Sequence, residues 1–241
     1  MEDYIDRGEE VAKILQDYYK DKDGWTLSKK TKDGASISYR HSKEFDGYLY
    51  KGECMFDAPP ATVFRYVDPL PDSAREKWDS NMKKIETLEW LQKDKLRINR
   101  ACTASAMMGL ISPRDFVDLI LNKETDSYLS TNAVSIRYSK CAEEKKYVRG
   151  WNYPCGLICE KVEGEPNKTK LVSLIQPDIG GMLPRTMVDS AIPSSMTSFF
   201  SELKEALKKD GSNNIKDIYL VINVLCASIP DHTTGTTQQY Q

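Results

Sequence analysis

The sequence predicts an α+β fold in which a curved antiparallel sheet grips one long helix, and three observations predict it. From Ile85 to Gln176, short strand-like segments succeed one another, separated by charged turns such as "LQKDK", "NKETDS" and "EGEPNKTK". That is the spacing of one meandering antiparallel sheet. Residues 185–209 then carry the longest helical pattern, with Ile192, Met196, Phe199, Leu203 and Leu207 in a stripe wide enough to cover a sheet face. Finally, helical and strand patterns are segregated along the chain, not alternating, which separates α+β from α/β.

The elements follow in order. Residues 2–20 fit a helix, with Val11, Leu15 and Tyr18, and Ala12, Leu15 and Tyr19, at helical spacing; "DKDGW" ends it with a turn. "GASISYRHSKEF" sets Ala35, Ile37 and Tyr39 on one face, and "GYLYKGECMF" sets Tyr48, Tyr50, Cys54 and Phe56 on one face, as two antiparallel strands do. "DAPPATVFRYVD" places its prolines where a first helical turn accepts them, and "PDSAREKWDSNM" reads as a second short helix. Strands are then predicted at 85–91, 94–104, 115–123, 127–137, 147–160 and 170–176. Pro193 is expected to kink the long helix or cost its first turn. Residues 1–211 read as one domain. In the tail, 212–241, "DIYLVINVLCASIP" is too short to span a bilayer, and a Thr/Gln-rich end is predicted to be disordered. No internal repeat is found.

The totals exclude several classes. The chain has 241 residues, 40% hydrophobic and 29% charged, as in an ordinary globular domain. Lys plus Arg total 34 against 36 Asp plus Glu, a net charge of -2, which argues against a nucleic-acid partner. The acidic N-terminus has neither the basic nor the apolar part of a leader, so a cytoplasmic protein is expected. The 6 cysteines fit small core residues in a reducing compartment.

Chemistry is sparse. The 2 histidines, His41 and His232, lie on a predicted strand and in the tail, and no nucleophile elbow, phosphate loop or dinucleotide fingerprint occurs. On a strand Cys155 and Cys159 would hold their sulfurs roughly 13 Å apart, so packing is favoured over a disulfide or a metal. Arg114, Asp115 and Asp118 offer charge without a partner base; Arg114 and Asp115 are read as a structural ion pair that fixes a loop. No enzyme, cofactor or metal is expected.

One stretch stands out. "AMMGLISPRDFVDLIL" (106–121) puts Met107, Met108, Leu110 and Ile111 in a segment that Gly109 and Pro113 make a loop. Leaving such side chains in water forgoes roughly 1.5–3 kcal/mol each, so the loop either packs on the core or meets something apolar.

At "KWDSN" (77–81), "SPRDFVDL" (112–119), "YVRGWNYPCG" (147–156) and "GEPNKTKLVSLIQPDIGGMLP" (164–184), the sequence resembles the StAR-related lipid-transfer (START) domain family, most of all its small single-domain members that carry sterols or bile acids. The resemblance spans roughly residues 8–209. It implies a helix-grip fold, a curved antiparallel sheet and C-terminal helix around a tunnel for one lipid. The 106–111 loop would be a gate that touches membranes transiently. The implied ligand is a sterol or bile-acid-like lipid, or a carotenoid, carried by a monomer.

The resemblance also proposes contacts. The cholesterol-delivering members place an acid about where Ala101 stands and a base about where Ile120 stands; neither charge is present here. Asn152 stands near a tunnel histidine of some members. Thr103, Ser105 and Thr131 are further polar candidates, and Met196, Phe199 and Leu203 the apolar contacts from the long helix. Turning Ala101 inward also turns Asn99, Thr103 and Ser105 inward, whereas simple alternation sends Leu96, Ile98, Cys102 and Ala104 to the core. A bulge, or a helix on the outer face, would reconcile the two. Outside this class stand a helix-grip enzyme relying on His41 and an interaction module docking through the tail.

Overall fold

The computed structural model describes residues 2–71 and 73–227, with side chains described through Asp210. Along the chain run α1 (Glu2–Lys20), β1 (Thr26–Lys30), β2 (Ser36–His41), β3 (Tyr48–Phe56), α2 (Pro60–Val67), α3 (Ala74–Trp78), β4 (Met82–Gln92), β5 (Leu96–Thr103), β6 (Arg114–Glu124), β7 (Tyr128–Ser135), β8 (Val148–Arg149), β9 (Trp151–Asn152), β10 (Cys155–Val162), β11 (Glu165–Ile175), β12 (Pro177–Asp178) and α4 (Arg185–Ala227). The long strands pair antiparallel in the order β1-β2-β3-β11-β10-β7-β6-β5-β4. Neighbours are successive long strands except where β3 meets β11. The stretch expected as one strand at 147–160 is three pieces. Gly150 sits where a Cβ would lie 2.3 Å from the Phe116 ring, and Pro154 has no N–H to give a ladder. The sequence reading missed β1, because an edge strand exposed along its whole length shows no alternation.

Both faces of the sheet are covered. Successive strand residues point to opposite sides. On one side Leu96 and Ile98 of β5, Val117, Leu119 and Leu121 of β6, and Val134, Ile158, Val172 and Leu174 form a core with Val11, Ala12, Leu15 and Tyr18 of α1. Gly8 lets α1 settle, since a Cβ there would lie 3.3 Å from Leu121 Cβ. Glu2 and Asp3 in its first turn and Lys20 in its last match the helix dipole. The other side of the same strands carries Asn99, Ala101, Thr103, Phe116, Asp118 and Ile120 and borders a cavity. β5 and β6 stay in unbroken register from Leu96↔Leu121 to Cys102↔Asp115. Along these strands the two inward readings of β5 are therefore compatible as far as Ile98, where α1 covers the face that alternation calls core and the cavity takes the other. Cys102 is buried outside the α1 core, and Ala104 lies beyond the end of β5.

The chain divides into two compact units, Met1–Lys204 and Glu205–Gln241. In the first, α4 lies against the cavity side. At Gly52 a Cβ would lie 2.6 Å from Phe200 Cε2, so only glycine lets the helix rest on β3 there. Opposite, the backbone N–H and hydroxyl of Ser80 donate to Glu202 at 2.8 and 2.6 Å, and Ser195 Oγ donates to Asn81 Oδ1 at 2.8 Å. Pro193 lies within α4 without ending it, and the helix runs past the expected end at 209, and past the domain boundary expected at 211, to Ala227. No glycine or proline follows Gly211 in that stretch. The predicted disordered end, with His232, falls largely in 228–241, outside the described residues.

Arg114 and Asp115 do not pair with each other, contrary to expectation. As neighbours on β6 they point to opposite faces. Asp115 Oδ2 accepts from Arg100 Nε and Arg149 Nη2, both at 2.9 Å, and Oδ1 from Arg149 Nε at 2.9 Å. Burial raises the pKa of Asp115, but the hydrogen bonds from Arg149 and Arg100 outweigh it and hold the carboxyl below the usual range. Arg114 Nε donates to Ile179 O at 3.0 Å, and its other nitrogens reach Ser112 O and Gly180 O. It ties two loops together by their carbonyls. Replacing Asp115 takes a buried carboxylate from Arg149 and Arg100. Arg100 keeps Glu144 and Glu86 and Arg149 keeps the carbonyls of Cys141 and Ala142, so the cost is roughly 1.5–3 kcal/mol. Urea unfolding of Asp115→Ala at neutral pH is expected to show a loss of that order.

Candidate functional site

Between the sheet and α4 lies a cavity of about 320 Å³, at the small end of the roughly 300–1,000 Å³ range of ligand sites. Most of its wall is apolar: Ala101, Phe116, Ile120, Ala133, Leu157 and Ile175 from strands, and Ile192, Met196 and Phe199 from α4. On this side of the sheet small or polar residues, Ala101, Thr103, Thr131, Ala133 and Gly156, stand among the larger Phe116, Ile120, Leu157 and Ile175 and leave room between sheet and helix.

Ala101, Thr103, Ile120, Thr131, Asn152, Met196 and Phe199 all line the cavity. Ser105 does not. β5 ends at Thr103, so alternation no longer governs Ser105, which is exposed. Leu203 is fully buried but off the wall. That part of α4 meets protein, with Phe200 against Phe56 at 6.4 Å between rings. The hydroxyls of Thr103 and Thr131 both meet backbone: Thr103 Oγ1 donates to Ala104 O at 3.1 Å, and Thr131 Oγ1 accepts from Leu157 N at 3.2 Å. His41 is exposed at the end of β2, its ring 4.9 Å from that of Tyr48, and is not part of the wall.

The wall's polar centre is Asp118. Its Oδ1 accepts from Ser135 Oγ at 2.7 Å and its Oδ2 from Asn152 Nδ2 at 2.9 Å. Ser135 Oγ in turn accepts from Asn152 N at 2.7 Å, so strand β9 is held in place by the same triad. Burial pushes the Asp118 carboxyl up to about 6, against the smaller lowering effect of the Ser135 and Asn152 hydrogen bonds. From sequence, Asp118 stands only as a charge without a partner base and not among the expected ligand contacts. The signal was present: on one strand, Phe116 and Asp118 must share a face with Ile120.

From the "KWDSN" segment, Asp79 and Asn81 line the cavity, beside Arg75. Asp79 accepts from Arg75 Nε at 3.1 Å and from the backbone and side-chain nitrogens of Asn81, both at 3.1 Å. Arg75 also lies 5.2 Å from the Phe199 ring centroid. This short segment therefore both lines the cavity and holds α4.

The 106–111 loop stands at the strand ends. Ala106 and Ile111 form a bridge, and Ile111 is buried, so it anchors the loop. Met107, Met108 and Leu110 are exposed, Met108 completely. Met107 (φ 50°), Met108 (φ 56°) and Gly109 (φ 90°) are three consecutive left-handed residues. Methionine is disfavoured there by about 1–2 kcal/mol. Met182, in the loop that Arg114 grips through Ile179 and Gly180, is also fully exposed.

A sheet gripping a C-terminal helix over a lined hollow defines a class, and comparison with known proteins agrees: a model of the START domain matches residues 5–212. The chain belongs to the START domain family. StAR-related lipid transfer protein 5 of Bos taurus is 45% identical over 202 residues, covering 83% of this chain and 94% of its own length. StAR-related lipid transfer protein 4 of Homo sapiens is 33% identical over 194 residues, covering 80% and 92%. The solved structure of human StAR-related lipid transfer protein 5 superposes with a TM-score of 0.81 at 38% identity, covering 86% of this chain and 98% of that one. The helix-grip architecture read from the resemblance is the one observed.

The raised pKa of Asp118 has a sign. Its folded-state value, about 6, lies above the unfolded value of about 3.9. Protonation thus contributes stability that is full below the unfolded value and lost as the pH rises through about 6. Relative to Asp118→Asn, the wild-type protein is expected to gain about 1 kcal/mol between about pH 7 and about pH 5, measured by urea unfolding without ligand at both pH values.

Proposed function

We propose that this protein binds one sterol-like lipid in the cavity beneath α4 and exchanges it with membranes. The observation that carries this reading is the hollow itself, walled by apolar side chains and a few hydrogen-bonding groups. A rigid sterol has few rotors to freeze, so apolar burial converts to affinity at little ordering cost. The names of its relatives, StAR-related lipid transfer proteins, point the same way. No catalytic step is needed. A carotenoid is the weaker guest, since a polyene would leave the Asp118 carboxyl facing hydrocarbon.

The membrane contact is assigned to the edge formed by Met107, Met108, Leu110 and Met182. A left-handed turn pushes Met108 outward at an energetic cost, and Arg114 links both loops through their carbonyls. Each such side chain gains roughly 1.5–3 kcal/mol on entering an apolar phase. A handful gives reversible docking. No helix among the described residues is long and apolar enough to cross a membrane.

Mass spectrometry of lipid extracted from the purified protein is expected to yield one sterol or sterol-like species per chain; a protein that takes up no lipid would overturn the reading. Met108→Asp and Leu110→Asp are expected to slow sterol transfer between vesicles about tenfold or more, with unfolding midpoints unchanged because both side chains are exposed. Unaltered transfer would remove the loop from the exchange step.

A further inference from the structure

Asp118 does more than brace β9. It is buried, it borders the cavity, and both its hydrogen-bond partners are neutral. A carboxylate offers about four acceptor sites, and Ser135 and Asn152 occupy two of them. Ser135 spends its one proton on Asp118 and accepts from Asn152 N, so it has no second proton to offer. The other ionisable groups on the described wall do not neutralise it. Arg75 is turned to Asp79 and Val67 O, Asp79 is taken by Arg75 and Asn81, and burial holds the Cys155 thiol protonated. Ala101, on the neighbouring strand opposite Phe116, and Ile120, two residues along, bring no charge. A buried, incompletely satisfied carboxylate without a cation calls for a donor.

We propose that Asp118, braced by Ser135 and Asn152, is the residue that selects the ligand, accepting a hydrogen bond from a hydroxyl on an otherwise apolar steroid. This rests on the lipid-binding reading above and goes further, because it names the ligand's recognised group and orients it. The hydroxyl-bearing end lies at Asp118. A ketone cannot donate, so a ketosteroid leaves the carboxylate unserved. A ligand carboxylate is repelled there and must point away. Protonation removes the preference: the neutral acid can donate as well as accept, and a ketone then becomes an acceptable partner. With the carboxyl's pKa at about 6, the change falls between neutral and mildly acid conditions.

The test uses the full chain loaded with dehydroergosterol, a fluorescent hydroxysterol. Displacement by cholestanol is compared with displacement by cholestanone, which differs only in carrying a ketone for the ring hydroxyl. At about pH 7.5 cholestanol is expected to compete about tenfold better, and the ratio to fall to about twofold or less at about pH 5, as a charge-assisted bond is lost. Asp118→Asn, which can both donate and accept, is expected to show a small ratio at both pH values. Equal competition by the two steroids at both pH values in the wild-type protein would overturn the assignment, whatever the variant's stability. So would an Asp118→Asn protein with the wild-type ratio and pH dependence. If dehydroergosterol itself fails to bind, the sterol-carrier reading falls as well, an outcome distinct from binding without discrimination.

Discussion

The structure depends on the pleat of two adjacent strands, β5 and β6, being covered on both sides. Because neighbouring residues must face opposite ways, each strand serves two environments at once. Leu96, Ile98, Val117, Leu119 and Leu121 go to the dry layer under α1, and Asn99, Ala101, Thr103, Phe116, Asp118 and Ile120 go to the hollow under α4. The first set provides the apolar burial that lets the domain tolerate an incompletely filled second layer. A binding site made of missing volume needs such a partner layer, since empty space lined by side chains lowers stability.

Charge is sorted by the same rule. Asp115 and Asp118 are three residues apart on β6 and face opposite sides. Asp115 meets Arg100 and Arg149 and is held ionised. Asp118 meets a serine and an asparagine beside an apolar hollow, and burial pushes it up to about 6. Residue type is the same in both. Environment makes one a structural clamp and the other a group able to respond to a guest.

The roof and the rim are linked through backbone as much as side chains. "KWDSN" holds α4 through Ser80–Glu202 and Asn81–Ser195 while lining the cavity. Arg114 uses its nitrogens on carbonyls of two loops, the second leading into α4. The exposed methionines therefore project from loops joined to each other and, along the chain, to the helix that closes the cavity.

Element order, α1, the paired strands and the long amphipathic helix were legible in the sequence, because periodicity reports which side of an element is buried. The family was legible from its long motifs. The sequence did not decide which of two alternating faces bordered the hollow, since both were buried and periodicity cannot distinguish a packed layer from a lined one. Nor did it separate Arg114 from Asp115, read as partners because they are adjacent; only the pleat and the distant Arg100, Arg149 and Ile179 show where each is satisfied. Asp118 acquires its character from Ser135 and Asn152, 17 and 34 residues away. Local pattern sets what each segment becomes; which groups meet across the sheet, and what they leave unpaired, is a property of the folded chain alone.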